Sequence, residues 1–408
     1  MNETKLDCVK RDTCRVSQLP LIDVLDLGEI YLNDFLAGGE APPKKYPLTL
    51  AYEPTSGLVQ LRHTVDPELM FRTYWYNSGT NESMANHLGQ IVSGILSRVS
   101  LRAGDVVVDI GCNDGTLLEN YPNMGLNTIG FDPAKNLKSE CDMFINDFFS
   151  AREYGATRLS PAKVVTSIAM MYDLEDPVAF ASDVNRILDD DGLWVMEMHY
   201  LPRMLERNEV DAICHEHLTY FSLTSLCYVL KQAGFTVTDV DLNDINGGSM
   251  LVYARKSHKA PSGPMMKVQD LLAKEANKDL YSELRGFARR VKENRDKMRL
   301  LLEQISFEGK IAFGYGASTK GNTLLQYCEI TPELLPYIAE RNPKKWGRRT
   351  VGSNIPIISE EEARAKNPDY FLVLPYHFLK SFMEREEAFL QRGGRFISPV
   401  AEPHVVNG

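Results

Sequence analysis

Residues 106–118 read VVVDIGCNDGTLL, and the chain then reaches IGFDP at 129–133. Val106, Val107, Val108 and Ile110 make the continuous apolar run of a strand buried on both faces of a parallel sheet. Gly111 and Gly115 carry no Cβ, so the backbone after the strand can turn sharply and let a ligand approach. A second strand ends in Asp132, where a carboxylate can accept hydrogen bonds from both hydroxyls of a ribose. This is the spacing of a nucleoside-binding βαβ unit.

The loop is not the dinucleotide one. GxGxxG is absent, and the chain reads Gly111-Cys112-Asn113-Asp114-Gly115 with Asp109 on the strand end before it. Carboxylates at 109 and 114 repel a phosphate, whereas a cationic nucleoside without phosphates tolerates them. S-adenosylmethionine fits that description. Asp109, Gly111, Asn113, Gly115 and Asp132 are then the residues expected to hold it. An ordinary turn in a Rossmann-like domain is the competing reading, and a methyltransferase is the working one.

A chain of 408 residues has room for two or three domains. Its net charge of -10 argues against a nucleic-acid partner, which calls for basic stripes. No 18-residue apolar stretch and no signal-peptide core appear, so a cytoplasmic location with no membrane partner is expected. The seven cysteines show no disulfide-framework spacing.

Strand-like and helix-like segments alternate from about 80 to 256. Strands are predicted at 105–110, 127–131, 163–168 and 193–198, with 235–240 and 249–254 closing the sheet as an antiparallel pair. Residues 267–303 are charged and helix-favouring, and read as one or two connecting helices. A second αβ unit follows, with strands predicted at 311–314, 335–339, 370–375 and 395–398. The expected fold is therefore α/β. A small N-terminal domain (1–75) precedes a central Rossmann-like methyltransferase domain (76–258). A helical connector (259–304) leads to a second Rossmann-like αβ domain (305–408).

Three further constellations carry chemistry. Asn146-Asp147-Phe148-Phe149 offers Asp147 as an acceptor for the adenine amine and Phe148 as a stacking face; a helix N-cap is the structural alternative for Asp147. ICHEHLTY at 213–220 places two histidines around a glutamate. Residues i and i+2 face apart on a helix and no third ligand is near, so general acid–base work is preferred to a metal pair. Gly314–Lys320 is a Gly-containing turn opening a helix, where Ser318, Thr319 and Lys320 suit a phosphate. It is not a Walker A loop. The aromatic stretch Tyr74-Trp75-Tyr76-Asn77-Ser78 reads as packing when taken alone.

Together these residues resemble the three-domain nucleotide-sugar C-methyltransferases, S-adenosylmethionine-dependent enzymes acting on keto-deoxysugars. The resemblance spans nearly the whole chain. Its marks are CRVS (14–17), VLDLG (24–28), SGLVQL (56–61), YWYNSG (74–79), DIGCNDG (109–115), CHEHLTY (214–220), NGGS (246–249), GYGASTKGNTLL (314–325) and ERNPKK (340–345). It implies C-methylation, at C3, of a nucleotide-linked 4-keto-deoxysugar lying between the middle and C-terminal domains. His217 is the implied base, Glu216 its orienter or a sugar-hydroxyl ligand, and Tyr76 a donor near the oxyanion, with His215 the second candidate base. Tyr220, Asn246, Tyr315, Ser318, Lys320 and Asn322 are the implied sugar-nucleotide contacts. O- or N-methylation of a sugar nucleotide, or a non-catalytic sugar-nucleotide-binding protein, are the alternatives.

The chain also departs from that pattern. The family's zinc module resembles CxxC…CxxC, but here Cys14 is followed by Ser17, Glu53 and Ser56 at the matching positions. One thiolate and a carboxylate do not make a four-coordinate structural zinc site. No metal is expected, with packing holding the small domain instead. Cys214 stands where the family often has Tyr, Tyr172 where it has His, and Asn246 where it has His. A monomer or weak dimer is expected.

Overall fold

Val106–Ile110 lies in the middle of a seven-stranded sheet, as its apolar run requires: all five of its residues are buried. The computed structural model describes residues 7–72, 75, 77–263 and 265–406. Strand order across the sheet is Phe235–Asn243, Ser249–Lys256, Leu188–His199, Ala162–Ile168, Val106–Ile110, Asn127–Phe131, Met143–Ile145. The last five run parallel, and the first two close the edge antiparallel. The order reverses at Val106–Ile110, and a crevice at the carboxyl ends of the strands follows from that switch. One face is covered by the helix Glu82–Leu96, whose buried Leu88, Ile91, Val92 and Ile95 repeat at helical spacing.

The second αβ unit has the parallel order Ile357–Ser359, Ile338–Glu340, Ala312–Tyr315, Tyr370–Val373, Arg395–Ser398, with His404–Val406 added antiparallel. Two helices, Met266–Ala276 and Leu280–Phe307, join the units. Phe287, Val291, Met298 and Leu302 of the longer one are buried, so it is a brace and not a free linker.

The N-terminal region forms a four-stranded antiparallel sheet in the order Thr219–Tyr220, Leu58–Leu61, Lys45–Glu53, Ile22–Tyr31. Its edge strand comes from the HEH segment, whose last two residues leave the loop expected there and pair with Gln60 and Val59. Phe35–Leu36 pairs in turn with Arg349–Thr350 of the C-terminal unit. One buried cluster accordingly runs through all three regions, from Leu48 and Val59 through Met204 and Ile213 to Phe287, Leu325 and Leu372.

Candidate active site

The carboxyl edge of the central sheet is built around two aspartates. Asp109, next to last in Val106–Ile110, lies beside Thr166 of the neighbouring strand, whose hydroxyl donates to Asp109 Oδ1 at 2.6 Å. Burial pushes the Asp109 carboxyl up to about 7 despite that bond. Asp132 accepts the backbone N–H of Asn113 on Oδ2 at 3.0 Å and that of Ala134 on Oδ1 at 2.9 Å. Each oxygen keeps a second lone pair for a ribose hydroxyl. Asn113 takes a positive φ of 52° and accepts the backbone N–H of Ser78, so the segment before the central domain is latched onto the loop.

Two of the expected roles change. A Cβ on Gly115 would come within 2.7 Å of the Glu140 nitrogen, so that glycine admits the chain's own 139–140 loop and not a ligand. A Cβ on Gly111, at φ 74°, would crowd only the Met170 side chain, at 3.0 Å. Asp147 does not cap the following helix, which Ser150 caps. Its carboxylate takes the Arg72 guanidinium at 3.3 Å, and Arg72 lies over the Phe148 ring. The sequence reading missed Arg72. It directly follows the short helix Glu68–Phe71 and carries no motif.

The HEH segment splits. His215 is buried and its Nε2 lies 3.2 Å from the Tyr46 carbonyl, so it ties the loop to the small sheet and is corrected from candidate base to anchor. Burial lowers its pKa to about 4. His217 turns the other way. Its Nδ1 is 2.9 Å from the Ala212 carbonyl, and its ring is 4.4 Å from that of Tyr172. A carbonyl accepts only, so Nδ1 carries the proton and Nε2 is left with its lone pair. Burial, then the Lys320 charge, hold the imidazole well below the usual histidine range and therefore neutral. Glu216 accepts from Asn33 of the small domain at 3.4 Å, and burial raises its carboxyl.

Around His217 the structure gathers groups that no motif flagged. His199, the last residue of its strand, contacts Glu209 at 2.7 Å. Asp211 is buried beside them, its carboxyl raised by burial to about 7 and partly offset by Lys320. The only available signal was two acids inside the otherwise apolar run before HEH. A Cβ on Gly247 would meet Glu209 Oε1 and the Tyr376 hydroxyl at 3.0 Å, which explains the NGGS turn: the glycine lets the C-terminal unit close on the middle one. Asn246 of that turn has φ 53°. Tyr220 lines the same cavity as His217.

On the opposite wall, Ser318 caps the helix Thr319–Tyr327 by accepting the Gly321 N–H at 3.0 Å, and Lys320 follows in its first turn. Glu340 and Lys345 of the ERNPKK segment hold this loop, accepting the Ala317 N–H and donating to the Ala317 carbonyl at 2.7 Å each. Asn322 is fully buried and donates to the Asp34 carbonyl at 3.0 Å. Tyr315 is a correction. Its hydroxyl bonds Glu360 and Glu386 and its ring packs on Phe371 and Phe382, so it belongs to the core of its sheet and not to a ligand. Trp75 donates to Asp34 and packs edge-on against Phe35; Tyr76, the expected oxyanion donor, lies outside the described residues.

At the zinc-module positions, Glu53 occupies the centre. Its carboxylate accepts the Ser17 hydroxyl at 2.7 Å, the Ser56 N–H at 2.9 Å, the Ser56 hydroxyl at 2.7 Å and the Thr55 N–H at 2.6 Å. Cys14 Sγ is 3.7 Å from Ser56 Oγ. These donors do not fit a tetrahedral zinc site, since two positions are hydroxyls and one carboxylate oxygen already accepts three hydrogen bonds. No group of three or more metal-ligating side chains occurs among the described residues. Packing was expected to hold this module; a hydrogen-bonded carboxylate does so as well.

A central sheet of this order, with an acidic strand-end pair and a glycine turn, defines the class of nucleoside-binding methyltransferase folds. Three family descriptions match in series: a putative zinc binding domain over residues 14–71, a methyltransferase domain over 84–240 and a C-methyltransferase C-terminal domain over 244–401. C-methyltransferase NovU of Streptomyces niveus is 33% identical over 408 residues, covering 97% of each chain. A ubiquinone biosynthesis O-methyltransferase of Cupriavidus pinatubonensis is 22% identical over 190 residues, 41% of this chain and 74% of that one. Among solved structures, a putative methyltransferase complexed with the Haloferax volcanii Trm112 activator covers 44% of this chain and 95% of its own, at 17% identity and TM-score 0.36. The chain belongs to the three-domain C-methyltransferase family.

Proposed function

We propose that this chain transfers a methyl group from S-adenosylmethionine to carbon, at C3, of a nucleotide-linked 4-keto-deoxysugar. The observation that carries the reading is His217. It is a neutral imidazole with its free nitrogen at the carboxyl edge of the nucleoside-binding sheet, facing the Lys320 loop of the second αβ unit. Asp109, Gly111, Asn113 and Asp132 fit the donor, with Phe148 for its adenine. Ser318 and Lys320 suit the phosphates of the acceptor.

S-adenosylmethionine supplies an electrophilic methyl group, and its C–S electron pair stays on sulfur when that group leaves. The work of the chain is on the acceptor. A ketone at C4 acidifies the C3 proton; His217 Nε2 takes that proton, and the C–H electron pair moves into an enolate whose charge rests on oxygen. Glu216 orients a sugar hydroxyl. We read the N-terminal module as independent of zinc, the molecule as cytoplasmic, and the acceptor as a sugar nucleotide, not a nucleic acid.

A mass-spectrometric screen of nucleotide-4-keto-sugars with labelled donor should score one added methyl. Deuterium exchange at C3 without donor separates carbon from oxygen or nitrogen transfer, since only the former needs C–H cleavage. No incorporation into any keto-sugar would defeat the reading.

A further inference from the structure

We propose that His199, oriented by Glu209, is a second acid–base group of this site and donates a hydrogen bond to the substrate's keto oxygen as that oxygen gains charge. This rests on the function proposed above and adds the donor that it leaves open.

Both residues are buried, their side chains 8% and 0% exposed, and they touch at 2.7 Å between Nε2 and Oε2. His199 shares with His217 the wall of a cavity of about 10 Å³, room for a single oxygen-sized group. Both ring nitrogens of His199 and both Glu209 carboxyl oxygens are buried with no aligned hydrogen-bond partner among the described residues, as is the hydroxyl of Tyr220 in the wall of the same cavity. Buried polar atoms are nearly always paired, so unpaired ones gathered at one cavity mark a place made for a polar ligand.

The two histidines differ in what stands behind them. His217 has a carbonyl, which fixes it as a neutral acceptor suited to taking the C3 proton. His199 has a carboxyl group. Nε2 and Oε2 are within hydrogen-bond distance but not aligned, and a small rotation of the ring would align them. With one proton shared by the pair, Glu209 O–H would then donate to Nε2 and Nδ1 would keep its hydrogen, so that Nδ1–H points away from the carboxyl as a donor. Burial raises the Glu209 carboxyl to about 7, which keeps that proton available near neutrality. In the reaction, the C3–H bond breaks, the proton goes to His217, and the electron pair forms C3=C4 with charge on oxygen. The His199 hydrogen bond strengthens as that charge grows, and no proton need transfer from it. The thiol of Cys214 is a weak donor by comparison, and burial keeps it protonated. The charged and titratable groups facing the pair are Lys320, Arg207, Arg203, Asp211, Tyr376, His377 and His217.

The test compares wild type, His199→Asn and Glu209→Gln with labelled S-adenosylmethionine and the nucleotide-4-keto-sugar the wild type accepts. His199→Asn should lower both C3–H exchange and kcat by about 100-fold, with donor binding by calorimetry unchanged. Glu209→Gln cannot titrate, so the alkaline limb of the kcat profile should move by at least about one pH unit. A His199→Asn kcat within about threefold of wild type overturns the inference, as does a Glu209→Gln profile that superposes on wild type. If His199→Asn fails to melt cooperatively, Glu209→Gln carries the test alone. A wild type that methylates no keto-sugar defeats the proposed function itself, a separate outcome seen before any variant is made.

Discussion

The carboxylate of Glu53 accepts the hydroxyl of Ser17 at 2.7 Å, joining the turn after Cys14 to the turn that follows Lys45–Glu53. Hydrogen bonds from Ser17, Ser56 and Thr55 hold the Glu53 carboxyl down, at about 2, against the effect of burial. A carboxyl lowered on folding stabilises above its unfolded value and loses that contribution as pH falls. Glu53→Gln should therefore cost up to about 3 kcal/mol above pH about 4.5, and nothing against wild type near pH about 2. Denaturant melts across that range check it. Chelator treatment should leave the wild-type melting temperature unchanged.

Asp109 titrates close to neutrality because it is buried. As pH rises through about 7 it becomes anionic and attracts the sulfonium and ammonium of the donor. Affinity for S-adenosylmethionine should rise several-fold, up to about tenfold, between pH 6 and 8. Asp109→Asn should bind weakly with a flat profile in the same calorimetric titration.

The Arg72 guanidinium carbon lies 4.9 Å from the Phe148 ring centre, on the face assigned to adenine. Ring and cation compete for one place. Displacing an exposed cation–π contact costs about 0.5–1 kcal/mol. Arg72→Ala should accordingly tighten the donor by about threefold, whereas Phe148→Ala should weaken it. Equal loss in both variants would mean that Arg72 clamps the adenine.

For His217, the expectation is loss of chemistry without loss of binding. His217→Asn should slow C3 exchange and methyl transfer together by about 10²–10⁴-fold, leaving the dissociation constant of the donor within error. Near-normal turnover would remove His217 from the role of base.

What could be read beforehand follows from how local each signal is. The central sheet announces itself through apolar runs such as Val106–Ile110, because a strand buried on both faces needs no partner information to be recognised. The long brace Leu280–Phe307 is legible for a different local reason, a charged and helix-favouring stretch. Pairings between distant residues are not. His199 and Glu209 carry no motif, and only the fold brings them to 2.7 Å. Tyr315 adjoins a glycine turn that suggests a ligand loop, while strand geometry sends its ring into the core among Phe371 and Phe382. Asp147 was legible as a carboxylate at the right edge, but its partner Arg72 comes from 75 residues away.

The two-residue strand Thr219–Tyr220 hangs the HEH loop on Leu58–Leu61, and His215 adds its bond to Tyr46. The small module is thus a rear wall for the base, and its excision would leave that loop without a backbone ladder. Small module and HEH loop therefore form one structural unit, and a truncation at the module's boundary cuts through that unit.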